Sequence, residues 1–251
     1  PFRHKCNLSR LIFQLYLRGT CVVPYPTAQQ DYSLRLRPLM NYQVVSSQTA
    51  YKGKILRVDV DEIRYEGSGR LSRREVVVKD SFAMVVPVLQ DGTVVTVQQF
   101  RHPFQELALS FPAGRVDPGE DPLEAARREL EEEAGLRARN LVKLAELHEV
   151  PEFARSVGHL YVADDLEAVP SRREEGEATM KVFRYTTAEL QQMVQQGAIR
   201  SVTVVAAFHH FQAFWTQRRH QRLQTTMGIL LSVTAGCLVG LFLGRRYAQA
   251  K

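Results

Sequence analysis

Apolar and polar positions along the middle of the chain change their period several times, and each change marks an element. Between Tyr42 and Trp215, extended patterning predicts strands over Gln43–Ser47, Ile55–Tyr65, Arg74–Lys79, Ser81–Val88, Thr93–Phe100, Val142–Glu149, Gly158–Ala163 and Met180–Tyr185. Asp91-Gly92 falls between two apolar runs and predicts a tight hairpin, because glycine takes up positive φ without a steric cost. Helical spacing predicts helices over Pro122–Ala134, Thr187–Gln196 and Ser201–His220, and Leu166–Glu177 reads as the most loop-like stretch. Strands and helices mix without a regular βαβ repeat, which points to an α+β fold or an α/β/α sandwich.

A chain of 251 residues holds one domain of about 150–200 residues plus extensions. The patterned region sets that domain at 41–222, after a basic extension over 1–40. The segment Pro1–Gln30 has no acid, carries Arg and Lys at intervals and contains the apolar run from Leu11 to Leu17. It suits a mitochondrial transit peptide, with a disordered basic arm as the alternative. From Met227 to Leu243 the chain is uncharged, with Arg218, Arg219, His220 and Arg222 before it and Arg245 and Arg246 after it. About 20 apolar residues cross a bilayer, so 227–244 is expected to span a membrane, followed by a short basic tail at 245–251. The alternative, a buried C-terminal helix, would keep a polar face, and this segment has none. Gly236, Gly240 and Gly244 recur every fourth residue, which would let a second helix approach closely. The expected location is therefore membrane-anchored and mitochondrial.

The net charge of +6 arises mainly from the two ends, while acids concentrate in the middle. That distribution fits targeting and membrane flanks and argues against a nucleic-acid groove. Cys6, Cys21 and Cys237 are too scattered for a disulfide framework or a zinc site.

Chemistry concentrates between Gly114 and Leu136. Asp121 suits an N-cap, Pro122 the first helical position, Glu124 an Asp-x-x-Glu capping pattern and Gly135 a C-terminal stop. Leu123, Ala126, Leu130 and Ala134 make an apolar stripe, so this helix packs on something. Glu129 and Glu133 lie four apart with Glu132 beside them, so their carboxylates leave one side of the helix. Their repulsion is offset by a divalent cation, which favours oxygen ligands and phosphates. Arg128 precedes Glu132 by four residues and can orient it, and Glu120 lies on the loop entering the helix. A solvated Glu-rich surface helix would show the same carboxylates without chemistry.

The full spacing is more specific: Gly114, five residues, Glu120, seven residues, Arg128-Glu129-Leu130, one residue, Glu132-Glu133, one residue, Gly135-Leu136. With these positions filled, the chain resembles the Nudix hydrolases over about residues 42 to 215, and more narrowly their ADP-ribose pyrophosphatase branch. Val95 to Arg101 is similar to that branch's strand ending in Gln-Tyr-Arg, and Phe111-Pro112-Ala113-Gly114 to its Leu-Pro-Ala-Gly. Pro151, sixteen residues after Gly135, falls at its marker proline, and Gly197-Ala198-Ile199 with Thr203 and Ala206-Ala207 at its C-terminal helix entry.

The resemblance implies an α/β/α sandwich with a mixed sheet. It also implies water attack on a diphosphate bridge aided by Mg2+, with Mn2+ as a substitute. By the same resemblance Glu129, Glu132 and Glu133, with the carbonyl of Ala113, hold metal. Arg128 supports them, Arg101 contacts phosphate, and Gly114, Glu120 and Pro151 line the substrate. The general base is expected in the loop Arg172-Arg173-Glu174-Glu175-Gly176-Glu177, with Glu177 first and Glu175 second. A solvated charge run is the plain alternative there. The strands around Tyr51–Val60 resemble ones that swap between subunits, which implies a homodimer.

One stretch departs from the branch: Pro151-Glu152-Phe153-Ala154-Arg155-Ser156 puts Ser156 where an acid is usual. Two readings follow. The first is a membrane-anchored hydrolase of ADP-ribose or a related nucleoside diphosphate sugar. The second is a weakly active or inactive Nudix-fold subunit of a mitochondrial membrane assembly.

Overall fold

The computed structural model describes residues 41–173, 179–221 and 224. The chain divides into two compact units, Ser33–Phe211 and a second made of Pro1–Tyr32 with Gln212–Lys251. Within the second unit residues 212–221 are helical. The N-terminal extension at 1–40, the expected membrane segment at 227–244 and the tail at 245–251 lie outside the described residues. Among the described residues no helix is long and apolar enough to cross a membrane.

In the larger unit the strands are β1 (Tyr42–Lys52), β2 (Leu56–Tyr65), β3 (Leu71–Lys79), β4 (Phe82–Pro87), β5 (Val94–Arg101), β6 (Glu106–Ser110) and β7 (Ala113–Arg115). Helix α1 (Pro122–Ala134) follows, then β8 (Leu136–His148), β9 (Ala154–Arg155), β10 (Val157–Ala168), β11 (Lys181–Tyr185) and α2 (Thr187–Gln195). Residues 202–211 are helical (α3) and bury Val204, Ala207, Phe208 and Phe211. The described strands form sheets in the orders β1-β2-β3-β9, β7-β4-β10-β8 and β11-β5-β6. Mixed sheets with few helices fit the expected α+β class.

The sheet that matters for chemistry is mixed. β10 runs parallel to β4 (Gly158 opposite Phe82) and antiparallel to β8 (Gly158 opposite Leu147). Both faces of β4 are covered, and Ala83 to Pro87 is buried without a break. Such a continuous apolar run is what a central strand requires. Ala83 and Val85 of β4, Tyr161 and Ala163 of β10, and Ala138 of β8 pack with Ala125, Ala126 and Leu130 of α1. Small alanines on both sides let α1 lie close to the sheet. The expected stripe is largely correct: Ala126 and Leu130 are fully buried, while Leu123 and Ala134 pack at its margin.

The hairpin at Asp91-Gly92 forms as expected. Gly92 adopts φ 83°, its N–H donates to the Leu89 carbonyl at 2.9 Å, and the Asp91 carboxylate accepts from the Thr93 N–H at 2.9 Å. The bridge Val88–Val94 carries the chain from the β4 sheet into the β5 sheet.

Several boundaries differ from the sequence reading. β6, β7 and β9 have no counterpart among the expected strands, being short and lacking sustained alternation. β8 begins at Leu136, six residues before the expected Val142, because Gly135 ends α1 in the left-handed region and turns the chain straight into a strand. β10 runs on to Ala168 into the stretch read as a loop, pairing Leu166 with Ala138 and Ala168 with Leu136. β1 extends to Lys52 although all of its residues except Tyr42 are exposed, so no alternation marks it.

Candidate active site

The ends of α1 are fixed by the residues singled out in the sequence. The Asp121 carboxylate accepts from the Leu123 N–H at 2.7 Å with Pro122 at the first position, and Gly135 adopts φ 64° with its N–H on the Glu131 and Leu130 carbonyls. With both ends set, rotation about the helix axis is fixed by Leu130 and Ala126 in the core. Glu129 and Glu133 then face β7, and both are buried, at 6% and 4% exposure.

A buried carboxylate is costly unless it accepts hydrogen bonds. Glu133 Oε2 accepts from the Ala113 N–H at 2.9 Å. Gly114 lies against Glu129 so closely that a Cβ at position 114 would collide with that carboxylate. The 113–114 backbone therefore forms one wall of the site, and β7 is held there by its rungs to Met84 and Ala83 of β4.

Arg128 forms the hub. Its Nε and Nη2 donate to Glu120 at 3.1 Å each, its Nη2 also to the Arg115 carbonyl at 2.9 Å. Its Nη1 donates to Glu129 at 2.6 Å and Glu132 at 3.2 Å. One planar guanidinium thus draws three carboxylates together, a use to which arginine is suited and lysine is not. Glu120 and Glu129 on this guanidinium hold it charged, with its pKa above the ordinary value. Arg128 in turn, helped by the Asp117 N–H at 2.9 Å, holds the Glu120 carboxyl below the usual range. Glu120 is therefore a brace between the loop and α1.

The donor set fits a hard divalent cation: two buried carboxylates and a third on the next turn surface, all oxygen, beside a backbone wall. Among the described residues no three His, Cys, Asp or Glu side chains stand at metal-holding spacing. In this arrangement Glu129 turns to Arg128 and Glu133 to the Ala113 amide. The Ala113 amide is thus in contact with the carboxylate set.

Of the remaining expected residues, Arg101 and Pro151 are described, and both are exposed. Arg101 is exposed at the end of β5, opposite Glu106 on β6, and Glu106 pairs instead with Arg200. Pro151 sits on an exposed turn whose Phe153 and Ala154 amides donate to the Val150 carbonyl. Pro151 thus stands on the turn that leads into β9. Glu175 and Glu177 lie outside the described residues. Ser156 is buried, and its hydroxyl donates to the Asp80 carbonyl at 3.3 Å.

One residue of this region has no role assigned from the sequence. Arg173 donates through Nε and Nη2 to the Glu133 carbonyl at 3.2 and 3.0 Å, and through Nη1 to the Met180 carbonyl at 2.7 Å. A contact across forty residues leaves no local pattern, and Arg173 reads in sequence as one charge among many.

Comparison with known proteins shows the family. The NUDIX domain model matches residues 79–221, more than half of the chain, and the protein belongs to the Nudix family. It is similar to the ADP-ribose pyrophosphatase of Bacillus subtilis, 27% identical over 68% of this chain and 92% of that one. A second ADP-ribose pyrophosphatase, from Mycobacterium tuberculosis, is 32% identical over 66% of this chain and 81% of the relative. A crystal structure of an ADP compounds hydrolase shares the fold with TM-score 0.65 at 22% identity, covering 71% of this chain and 96% of that one. The protein is a Nudix hydrolase of the ADP-ribose pyrophosphatase-like kind.

Proposed function

We propose that the protein hydrolyses the diphosphate bridge of ADP-ribose or a related nucleoside diphosphate sugar with Mg2+, Mn2+ being able to substitute. The observation that carries this reading is the burial of Glu129 and Glu133 against the 113–114 backbone, with Arg128 binding Glu129, Glu132 and Glu120 together. Clustering these charges is costly to the fold alone and useful to a cation-dependent reaction at phosphate. The names of the two bacterial relatives support ADP-ribose as the first substrate to try.

Glu129, Glu132 and Glu133 would hold the metal, which when bound supplies charge neutralisation at the diphosphate and a more acidic water. The chain's own residues then have distinct tasks. Arg128 keeps the carboxylates aligned, and Gly114 leaves room for Glu129. Arg101, exposed and without an ion pair among the described residues, binds a phosphate oxygen as a fork-shaped donor. Glu177, or Glu175 in second place, takes the proton from the attacking water.

Anchoring through 227–244 in a mitochondrial membrane rests on the apolar run and its basic flanks. A homodimer is supported by β1, where Val44, Val45 and Tyr51 are exposed along an eleven-residue strand. The test of the function is release of AMP and ribose 5-phosphate from ADP-ribose by the full chain in detergent. Release should stop with EDTA and return with Mg2+. Absence of any product from ADP-ribose, NADH and a panel of nucleotide sugars would overturn it.

A further inference from the structure

We propose that Arg173 is a positioning residue of the hydrolase: it locks the last turn of α1, and with it Glu133, to the chain entering β11. This rests on the metal-dependent reading above. The last carbonyls of a helix have no partner within the helix. Here the Gly135 N–H serves Leu130 and Glu131, and Arg173 serves Glu133 with two N–H groups. A cation at a helix C-terminus is also favoured by the macrodipole. The third donor reaches the carbonyl of Met180, itself buried at 3% exposure and adjacent to Lys181, which pairs with Gln98 of β5. The guanidinium therefore ties α1 to the β11-β5-β6 sheet.

Glu133 is thereby held at two points, its carboxylate by the Ala113 amide and its carbonyl by Arg173. Loss of the second hold leaves the last turn free to fray, and fraying moves the carboxylate relative to Glu129. Lysine cannot reproduce the arrangement, because one ammonium does not present a planar fork to two carbonyls. Arg173 donates to the backbone carbonyls of Glu133 and Met180, so its influence on the Glu133 carboxylate passes through the Glu133 backbone.

The experiment compares the wild-type full chain with Arg173→Ala and Arg173→Lys. It reads ADP-ribose turnover with Mg2+, Mn2+ affinity by electron paramagnetic resonance, and the melting temperature. Outer-shell partners of ligands contribute about 10–100-fold in affinity or activity. Arg173→Ala should lose about that factor in both kcat and Mn2+ affinity with KM unchanged. Arg173→Lys should fall between, and added guanidinium should restore part of the kcat of Arg173→Ala. A lowered melting temperature with wild-type kcat and Mn2+ affinity would overturn the proposal, since a purely structural role gives that result. If Arg173→Ala does not fold, wild-type kcat and Mn2+ affinity in Arg173→Lys would overturn it equally. Should the wild type turn over no substrate, the substrate reading fails and the Mn2+ comparison alone decides on Arg173.

Discussion

Ala113 and Glu133 stand twenty residues apart and meet through a 2.9 Å hydrogen bond from the Ala113 backbone amide to Oε2 of Glu133. That bond fastens the turn of α1 bearing the deepest carboxylate to the strand before the helix. Glu129, one turn earlier, rests on the next residue of the same strand, Gly114. Helix and strand are thus registered to each other through the very groups assigned to metal.

The first consequence concerns Gly114. Its φ is not in the left-handed region, so the need for glycine is steric: any Cβ meets the Glu129 carboxylate. Gly114→Ala is expected to cost about 1–3 kcal/mol of stability through overpacking. It should cost more in activity, because relief comes by displacing Glu129. Urea unfolding and steady-state kinetics on one preparation check this, and a stable variant with unchanged kcat would count against the role of Glu129.

Acid should loosen the hub at Arg128. The folded Glu120 carboxyl is held below its ordinary value, first by the Arg128 hydrogen bond and then by the Asp117 amide. A depressed folded pKa stabilises the fold fully above the unfolded carboxyl pKa of about 4.3. The contribution is lost as pH falls through the lower, folded value. Glu120→Gln should therefore be less stable than wild type at pH 7, by about 1–3 kcal/mol for a hydrogen bond to a charged group. The gap should narrow below about pH 4. Unfolding curves at pH 7 and pH 3.5 measure it, and a gap independent of pH would refute the assignment.

Thr96 offers a change in the opposite direction. It is buried in β5 at 1% exposure, and its hydroxyl has no hydrogen-bond partner among the described residues. A buried unsatisfied hydroxyl costs about 1–3 kcal/mol. Thr96→Val keeps the shape and removes the polar atom, so stability should rise by about 1 kcal/mol. For a domain of this size that corresponds to a melting temperature about 2–4 °C higher. A fall in melting temperature would show that the hydroxyl is satisfied.

Local signals made part of this molecule legible in advance. Asp121, Pro122 and Gly135 mark the ends of α1, and the spacing of Glu129, Glu132 and Glu133 marks the site, because each lies within one or two helical turns of its partners. What escaped depends on distant contacts. β6 and β7 exist only because β5 and β4 pair with them, and the parallel pairing of β4 with β10 joins residues some seventy-six apart, such as Phe82 and Gly158. Arg173 shows the same limit, since its value lies in the Glu133 and Met180 carbonyls that the fold brings to it. Glu120 was recognised as part of the pattern, but its role as a brace appears only once Arg128 is seen to reach it.

The central claim is that the carboxylate held by Ala113 serves catalysis, and the Glu133→Gln variant of the full chain tests it most directly. The amide oxygen can still accept from Ala113, so the fold should melt within about 2 °C of wild type. Hydrolysis of ADP-ribose with Mg2+ should fall about a hundredfold or more. A well-folded Glu133→Gln protein releasing AMP at the wild-type rate would contradict the account.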